Sequence, residues 1–409
     1  MKPTSKNKII RLIFELPRAL LIAVFWVLWI LSHLMPRDKK LWLFDEWDGT
    51  RCADNARYLY LHASRVAGYH AIWLTHNREL VQELRAEGLR AYLAHSPQGL
   101  WYTLRAGVII VESHVSVFFW LTGGIRIINL WHGLPIKKIV YDSAGTKVHN
   151  WVYHARGLRR LYHIFFAPQK VMLGDYILSQ SRQWQKHFST AFRVPLERVL
   201  VGNQPRNEGV LAADPLFLER ERPLVEHLRS VRAKKKILTY LPTFRDGKAN
   251  PLEDSGLNFA ELDAWLGERN LHLLIKAHHE QLAGEEPYRN IEFLPVDIAA
   301  MLLLRETDVL VTDYSFIFVE FLVLDRPIIF YAFDLDRYTT TMREMYFNYD
   351  DITPGPKART LESFKAEIER AISGTDTHQE ARARVRKMVL NPKPEHAAEQ
   401  MFRQIVSVL

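Results

Sequence analysis

Four short motifs place residues suited to acid–base and phosphate chemistry directly after an apolar run. The first is Trp131-His-Gly-Leu-Pro-Ile-Lys137, in which glycine relaxes the backbone and proline stiffens the exit. A histidine pKa of about 6.5 suits proton abstraction at neutral pH, and Lys137 and Lys138 are suited to holding phosphate. We therefore predict that His132 is a general base and that Gly133 and Lys137 contact acceptor or phosphate. A loop histidine bonded only to backbone groups remains an equal alternative.

The second and third motifs contain basic side chains that could bind phosphate. In Leu241-Pro-Thr-Phe-Arg-Asp246, Arg245 presents a planar fork of donors for phosphate and Asp246 orients it, although a plain surface ion pair is the simpler interpretation. Leu273-Leu-Ile-Lys-Ala-His-His279 ends an apolar run in Lys276 and His278. Adjacent histidines on extended backbone point to opposite sides, so they do not chelate one metal. We predict phosphate contacts and no metal here.

The fourth motif has the largest group of polar donors. An apolar run enters Thr312-Asp-Tyr-Ser315, and a helical pattern containing Glu320 follows at once. Free N–H groups at a helix start attract anions, and the hydroxyls of Thr312 and Ser315 add donors. Glu320 lies within reach of ribose hydroxyls. Simple capping of the helix by Asp313 or Ser315 is the alternative, but it explains only one of these groups.

Short apolar runs alternate with amphipathic segments, which predicts βαβ units and parallel sheets. The pattern predicts strands in the first half at Leu41–Asp45, Ala71–Thr75, Ala91–Ala94, Val108–Glu112, Ile125–Trp131, Ile164–Ala167 and Val199–Val201. It predicts strands in the second half at Lys236–Leu241, Leu271–Lys276, Val309–Thr312 and Ile328–Tyr331. It predicts helices at Asn55–Val66, Glu79–Glu87, Phe259–Arg269, Ile298–Arg305 and Phe316–Leu324, and helical structure over Gln379–Leu409.

We therefore predict two Rossmann-like domains facing across a cleft, the arrangement called GT-B, with ligands at the carboxyl ends of the strands. The predicted boundaries are 1–40 for a membrane-associated segment, 41–205 for an acceptor domain, 206–385 for a donor domain, and 386–409 for a helix that crosses back. No dinucleotide fingerprint and no phosphate loop of the nucleotide-triphosphatase type occurs in the sequence, which argues against NAD and ATP enzymes.

Composition narrows the choice of partners. The chain has 409 residues and a net charge of +8, which favours anionic lipids or phosphate-bearing substrates. No nucleic-acid-binding motif accompanies that charge, so we expect no nucleic-acid partner. The single cysteine, Cys52, excludes an internal disulfide and a cysteine-rich zinc site, and it fits a reducing compartment.

The amino terminus predicts membrane attachment. Basic residues flank the apolar run Ala19–Leu31 on both sides, and the run is at the short end of the length that spans a bilayer. With both flanks basic, an in-plane helix at the cytoplasmic face fits as well as a single anchor. A buried core helix is the remaining alternative, and spanning stays undecided.

Taken in this order, the motifs resemble the CDP-glycerol glycerophosphotransferase family of teichoic acid and capsule synthesis. The resemblance covers most of the chain from about Leu41 onward. Besides the four motifs it rests on Phe44-Asp-Glu-Trp-Asp-Gly49, Asp54-Asn-Ala-Arg57, Leu324-Asp-Arg-Pro327, Phe330-Tyr-Ala-Phe-Asp334, Phe347-Asn-Tyr349 and Pro354-Gly-Pro356.

The resemblance implies a GT-B fold, a CDP-activated polyol phosphate as donor, and no cofactor. It implies that His132 deprotonates an acceptor hydroxyl, which attacks the β-phosphate and releases CMP. His278 is implied as the second catalytic residue. The implied donor-binding set is Thr243, Arg245, Asp246, Lys276, Thr312, Asp313, Tyr314, Ser315 and Glu320. The implied acceptor is a lipid-linked saccharide or a growing cell-surface polymer.

Two departures leave the polyol open. The family usually has a second serine where this chain has Phe316, and aspartate where it has Glu320. CDP-ribitol is therefore a possible donor beside CDP-glycerol. A GT-B glycosyltransferase that uses a nucleotide sugar is the alternative enzyme, and a non-catalytic membrane scaffold is the alternative from another class.

Overall fold

Two parallel β-sheets with helices around them make up the structure. The computed structural model describes residues 5–135, 137–143, 151–211, 218–243, 252–276, 288–295, 298–336 and 344–409, with residues 5–16 and 47 described by their backbone alone. Within these ranges every strand pairing is parallel. The predicted α/β class is therefore confirmed.

The first sheet has seven described strands in the order β3-β2-β1-β4-β5-β6-β7. Its strands are β1 Asp38–Phe44, β2 His70–Thr75, β3 Ala91–Leu93, β4 Ala106–Val111, β5 Arg126–Asn129, β6 Tyr176–Ser179 and β7 Val199–Val201. The order reverses between β1 and β4, and a reversal of this kind leaves a crevice at the carboxyl ends of the strands. His132 lies at this edge, three residues after β5 ends.

The second sheet has six described strands in the order β10-β9-β8-β11-β12-β13. They are β8 Lys236–Leu241, β9 Leu271–Lys276, β10 Ile291–Leu294, β11 Val309–Thr312, β12 Ile328–Tyr331 and β13 Lys357–Ala358. The order again reverses next to β8, between β8 and β11. Consequently the Pro242-Thr243 turn after β8 and the Asp313–Ser315 turn after β11 lie side by side.

Among the described residues, helices occupy most connections between strands and also precede β1 and follow β13. In the first half they are α1 Ser5–Ser32, α2 Asp54–Ala63, α3 Arg78–Ala86, α4 Pro97–Arg105, α5 Gly157–Phe166, α6 Arg182–Phe192 and α7 Asn207–Leu211. In the second half they are α8 Arg222–Arg232, α9 Phe259–Glu268, α10 Ala300–Glu306, α11 Ile317–Phe321, α12 Tyr349–Ile352, α13 Leu361–Ile372, α14 Gln379–Val389 and α15 Ala397–Ser407.

One strand prediction is wrong. Residues 164–167, predicted as a strand, form the last turn of α5 and the residue after it. A four-residue apolar run cannot distinguish a strand from a helix, and the wider spacing of Leu158, Leu161 and Phe165 follows the helical period. The other predicted strands are confirmed to within about three residues at each end, while β6, β10 and β13 were not predicted.

A continuous hydrophobic cluster joins the two halves. Trp184 and Phe188 of α6 are almost fully buried in the same cluster as Phe318 of α11 and Phe330 of β12. The last helix packs on the first sheet, where the Phe402 ring lies 4.7 Å from the ring of Trp42. The chain therefore returns to its first sheet after completing the second.

Helix α1 lies against the first sheet through one face. Phe25 and Trp26 contact the Trp120 ring at centroid distances of 5.7 and 5.3 Å. Arg37, just beyond the helix, donates to the carbonyl oxygens of Thr103 at 2.6 Å and Leu121 at 2.9 Å. Among the described residues, no helix combines the length and apolar character needed to cross a bilayer.

Candidate active site

His132 occupies a turn whose backbone is constrained on both sides. Trp131 has a φ of 52° and Gly133 a φ of 148°, both in the region that side chains with a β-carbon seldom adopt. The Trp131 N–H donates to Asn129 Oδ1 at 2.9 Å, and the Trp131 carbonyl accepts from Asn55 Nδ2 at 2.8 Å. The buried side chains of Asn55 and Asn129 thus fix the backbone of Trp131, which sets the direction of the neighbouring His132.

The environment of His132 favours a neutral imidazole with a defined tautomer. The residue is exposed to solvent, yet the protein around it displaces enough water to lower the pKa of His132 below the ordinary value. Nδ1 lies 3.3 Å from the Glu112 carbonyl oxygen. A carbonyl only accepts, so this contact requires the proton on Nδ1 and leaves Nε2 as the acceptor. His132 is therefore arranged as a proton acceptor.

The turn that carries His132 meets the second half of the chain. A β-carbon built on Gly133 would lie 3.9 Å from the Phe316 β-carbon and 3.4 Å from Arg206 Nη2. Further along the same loop, Lys137 forms an antiparallel bridge with Met345. The motif that contains His132 and the motif that contains Ser315 are therefore neighbours. Two motifs that bind one substrate must lie this close together.

The predicted residues after β8 and β11 form hydrogen bonds with one another. Asp313 Oδ1 accepts from the Thr243 backbone N–H at 2.8 Å and from its hydroxyl at 2.6 Å. The Thr312 hydroxyl donates to the Leu241 carbonyl at 2.9 Å, and the Tyr314 hydroxyl to Asp334 Oδ1 at 3.0 Å. Thr312, Asp313 and Tyr314 are buried. This network fixes the two turns relative to each other.

Ser315 and Glu320 occupy different environments. Ser315 is half-buried just before α11, and its hydroxyl accepts a long hydrogen bond of 3.4 Å from the N–H of Ile317, while the N-cap residue of the helix is Phe316 and no side chain caps it. Glu320 is fully buried. Its Oε1 accepts from Arg206 Nη2 at 2.6 Å and its Oε2 from Asn207 Nδ2 at 2.5 Å. Both carboxylate oxygens are engaged within the protein in this structure.

The remaining predicted residues lie at or beyond the end of a strand. Lys276 is half-buried and ends β9 at the same edge of the second sheet. Arg245, Asp246 and His278 lie outside the described residues. Their roles stay predictions.

Three carboxyl groups converge beside the His132 turn. Ligand oxygens of Glu46, Asp54 and Glu112 lie within 4.8 Å of one another. Glu46 Oε1 and Glu112 Oε2 are buried and have no hydrogen-bond partner among the described residues. Burial, reinforced by the negative charge of Asp54, raises the pKa of Glu46 and of Glu112 well above the ordinary value. Both groups therefore hold their protons to a higher pH than exposed glutamates.

Because of that shift, a Glu112→Gln variant should gain stability relative to wild type as the pH rises. The folded protein binds protons more tightly at Glu112 than the unfolded chain, whose pKa is near 4.5, so wild-type stability falls as the pH rises above that value. Glutamine keeps the shape without the charge. Urea unfolding at pH 5 and pH 8 should show a larger difference between the two proteins at pH 8.

The matched control for this comparison is Glu197→Gln, since Glu197 is an exposed glutamate. Its difference from wild type should not change between the two pH values. A Glu112→Gln difference that is equally flat would contradict the raised pKa.

Residues that sequence analysis did not select surround the predicted base. Arg206 donates to Asp54 on one side and to Glu320 on the other, and its backbone N–H donates to Asn55 Oδ1 at 3.2 Å. Asn55 in turn holds Trp131. The sequence signal was the Asp54-Asn55 pair, which was noted only as part of the family resemblance.

The fold and the site define a class: an α/β protein whose two parallel sheets bring their strand-end motifs together around a histidine. Residues 27–407 match the family model described as CDP-Glycerol:Poly(glycerophosphate) glycerophosphotransferase. The chain belongs to this family and is a transferase. The predicted family and enzyme class are thereby confirmed.

Individual relatives agree with the family match. The chain is 25% identical over 361 residues to a teichoic acid poly(glycerol phosphate) polymerase of Bacillus spizizenii, covering 84% of this chain and 87% of the relative. It is 23% identical to the Bacillus subtilis polymerase of the same name, covering 86% of this chain but 47% of that longer protein. A solved structure of a variant of the wall teichoic acid polymerase TagF, soaked with CDPG, superimposes with a TM-score of 0.73 at 19% identity, covering 99% of this chain and 98% of that chain. That structural likeness shows the shared fold.

Proposed function

We propose that this protein transfers glycerol phosphate from CDP-glycerol to a hydroxyl of a lipid-linked saccharide or growing cell-surface polymer, and releases CMP. Family membership supports the donor and the reaction class. The observation that carries the proposal is the meeting of the His132-Gly133 turn with the Ser315-Phe316 turn. A base from one sheet and donor-binding groups from the other can then act on the same phosphate.

In the proposed reaction the acceptor oxygen forms a bond to the β-phosphorus of CDP-glycerol. The bond between that phosphorus and the bridging oxygen breaks, and CMP leaves with the bonding electrons. Nε2 of His132 takes the acceptor proton, since the contact of Nδ1 with the Glu112 carbonyl leaves Nε2 as the basic nitrogen. The lowered pKa of His132 keeps it unprotonated at neutral pH.

The donor pyrophosphate is proposed to bind at the carboxyl edge of the second sheet. Ser315 and Lys276 lie at this edge and are half-buried, so part of each side chain faces solvent. Arg245, Asp246 and His278 are proposed to complete the set from the segments that follow β8 and β9, with His278 as the second catalytic residue. Such donors stabilise the charge that develops on the phosphate oxygens.

The buried members of the predicted donor set are proposed to act indirectly. Thr243, Asp313, Tyr314 and Thr312 hold the two turns in register. Glu320 is proposed to orient Arg206 beside Gly133, and a ribose contact of Glu320 would need this ion pair to rearrange.

We further propose the GT-B division of labour, with acceptor binding in residues 41–205 and donor binding in 206–385. The two sheets, with their reversed strand orders and adjacent strand-end turns, support this division. The helical segment 386–409 then crosses back to the acceptor domain, consistent with the packing of Phe402 on Trp42.

Attachment to the cytoplasmic face of the membrane is proposed to use α1 and α5 together. The outward face of α1 exposes Leu20, Val24 and Val27 by 53–62%, while its other face packs on the protein. Beside it, α5 exposes Leu158 by 85% and Leu161 by 60%. Trp26 Nε1 donates to the Phe165 carbonyl at 3.1 Å and joins the two helices. Exposed apolar side chains on adjacent helices are typical of an in-plane membrane surface.

A Leu20→Glu/Val24→Glu/Val27→Glu variant should lose binding to vesicles that contain anionic lipid, because three carboxylates oppose both the apolar and the electrostatic attraction. Co-sedimentation with phosphatidylglycerol vesicles measures the loss. Val406→Glu is the matched control, since Val406 is an exposed apolar residue on α15, which packs on the other face of the first sheet. Equal binding by wild type and the triple variant would contradict the proposed surface.

The experiment that tests the function is CMP release from CDP-glycerol by the purified protein with a lipid-linked disaccharide acceptor. Acceptor-dependent release is expected. Parallel reactions with CDP-ribitol and a UDP-sugar test the donor, and release from either of these without release from CDP-glycerol would overturn the proposal.

A further inference from the structure

A cavity of about 380 Å³ lies between α1, the end of α5 and the carboxyl edge of the first sheet. Its volume is within the range of small-molecule sites. It is formed by loops that follow β1, β3 and β4, at the same edge of the sheet as His132. We call it the α1 pocket.

One wall of the α1 pocket is apolar and aromatic. Ile22 of α1, Phe118 and Trp120 of the segment after β4, and Phe166 of α5 form this wall. The Phe118 ring packs edge-on against Phe25 of α1 at a centroid distance of 5.4 Å. The wall is therefore continuous with the helices whose outward faces are exposed and apolar.

The opposite wall carries hydrogen-bonding groups that other contacts hold in place. Asp48, His95, His114 and Ser116 belong to it. His114 Nε2 lies 3.1 Å from Asp48 Oδ1, and the buried Asp45 accepts from the Ser116 backbone N–H at 2.6 Å. Ser116 is therefore already held by the buried Asp45, whereas the largely exposed side chain of Asp48 would be ordered by a ligand.

The α1 pocket begins close to the predicted base. The Glu112 carbonyl contacts the His132 ring, and His114 follows Glu112 by two residues. Two residues of chain span at most about 7 Å, so a ligand in the pocket can place a neighbouring group near His132.

The charge of the pocket does not favour the donor. None of its described lining residues is lysine or arginine, while Asp48 contributes a carboxylate. A pyrophosphate would find no lysine or arginine there to pair with its charge. Aromatic faces opposite hydroxyl, imidazole and carboxylate groups instead suit a neutral ligand rich in hydroxyl groups.

We infer that the α1 pocket binds the sugar head group of the acceptor, with its lipid chain leaving along α1 toward the membrane. The inference rests on the proposed function, because the ligand assigned to the pocket is the acceptor of that reaction. It assigns the sugar to the polar wall and the start of the lipid to the aromatic wall. The reacting hydroxyl then faces His132 while the lipid stays in the bilayer.

A His95→Ala/His114→Ala variant tests the inference. The KM for a disaccharide acceptor on a short lipid chain should rise about tenfold, as expected when one or two hydrogen bonds are lost. The KM for CDP-glycerol should stay within twofold of wild type. His70→Ala is the matched control, since His70 is an exposed histidine at the opposite edge of the same sheet, and it should change neither constant.

Two competitors separate the sugar from the lipid. The free disaccharide should inhibit wild type competitively with acceptor and inhibit the double variant about tenfold less well, whereas the lipid alone should inhibit both proteins equally. An effect of the variant confined to the lipid, or a raised KM for CDP-glycerol, would overturn the inference. Calorimetric titration with the disaccharide, in the absence of donor, measures its binding to wild type and to the double variant. This tests the assignment of the pocket independently of catalysis. Wild type that binds disaccharide but releases no CMP would overturn the proposed function and leave the pocket standing.

Discussion

His132→Ala should lower acceptor-dependent CMP release by about 10²–10⁴-fold, the usual contribution of a positioned general base. The turn around His132 is held by Asn55 and Asn129, so the variant should keep the wild-type fold. The loss should appear in kcat, because the imidazole is needed for proton removal. Initial-rate measurement of CMP with CDP-glycerol and acceptor checks the value.

His132→Gln and a pH profile make this result specific. Glutamine retains a hydrogen-bonding side chain but no base, so it should be nearly as slow as alanine. For wild type, the acid limb of the profile should lie at lower pH than for an ordinary histidine, because the pKa of His132 is lowered by desolvation and the neutral form is the active one. A His132→Ala enzyme that keeps wild-type kcat would contradict the assignment of the base.

Arg206→Ala should destabilise the protein by about 3–5 kcal/mol, the cost of leaving a buried charge without its partner. The Arg206 side chain is 6% exposed and lies between Asp54 and Glu320, and Glu320 has no solvent exposure. Burial alone would lower the pKa of Arg206, but the two carboxylates raise it above the ordinary value, so it stays charged. The shift of the urea unfolding midpoint, with the slope held in common, measures the loss.

A second variant shows whether the unpaired carboxylate causes the loss of stability in Arg206→Ala. Arg206→Met/Glu320→Leu removes both members of one pair and should recover a large part of the loss, since apolar replacements of buried pairs are often tolerated. Arg220→Ala is the control, because Arg220 is an exposed arginine 3.6 Å from Glu83, and it should cost less than about 1 kcal/mol. A double variant no more stable than Arg206→Ala would point to lost packing instead.

Much of the architecture could be predicted because parallel strands buried on both faces are continuous apolar runs. Val309–Thr312 and Ile328–Tyr331 have the predicted bounds for this reason. The same logic fails at α5, where Leu158 and Leu161 face outward and the apolar residues 164–166 are only half-buried. An apolar run shows that a surface is hydrophobic, but it does not show whether protein or membrane covers it.

The site was predictable where chemistry follows a strand end and unpredictable where it depends on contacts between distant segments. His132 and Ser315 were found from their positions after apolar runs. Arg206 was not selected, because its ion pairs with Asp54 and Glu320 span 152 and 114 residues of sequence. The burial of Glu320 has the same origin. Pairing over such separations leaves no local pattern, so only the three-dimensional structure reveals it.

The return of α15 to the first sheet has a consequence for how the chain folds during synthesis. Met401, Phe402 and Ile405 are nearly completely buried in the core formed by Trp42 and Phe44 of β1. These residues leave the ribosome long after β1, so the first sheet emerges early but lacks part of its core until α15 has been synthesised. Contacts between such distant segments slow folding and leave apolar surface exposed in the meantime. The nascent amino-terminal half is therefore expected to depend on chaperones more than its strand order alone suggests.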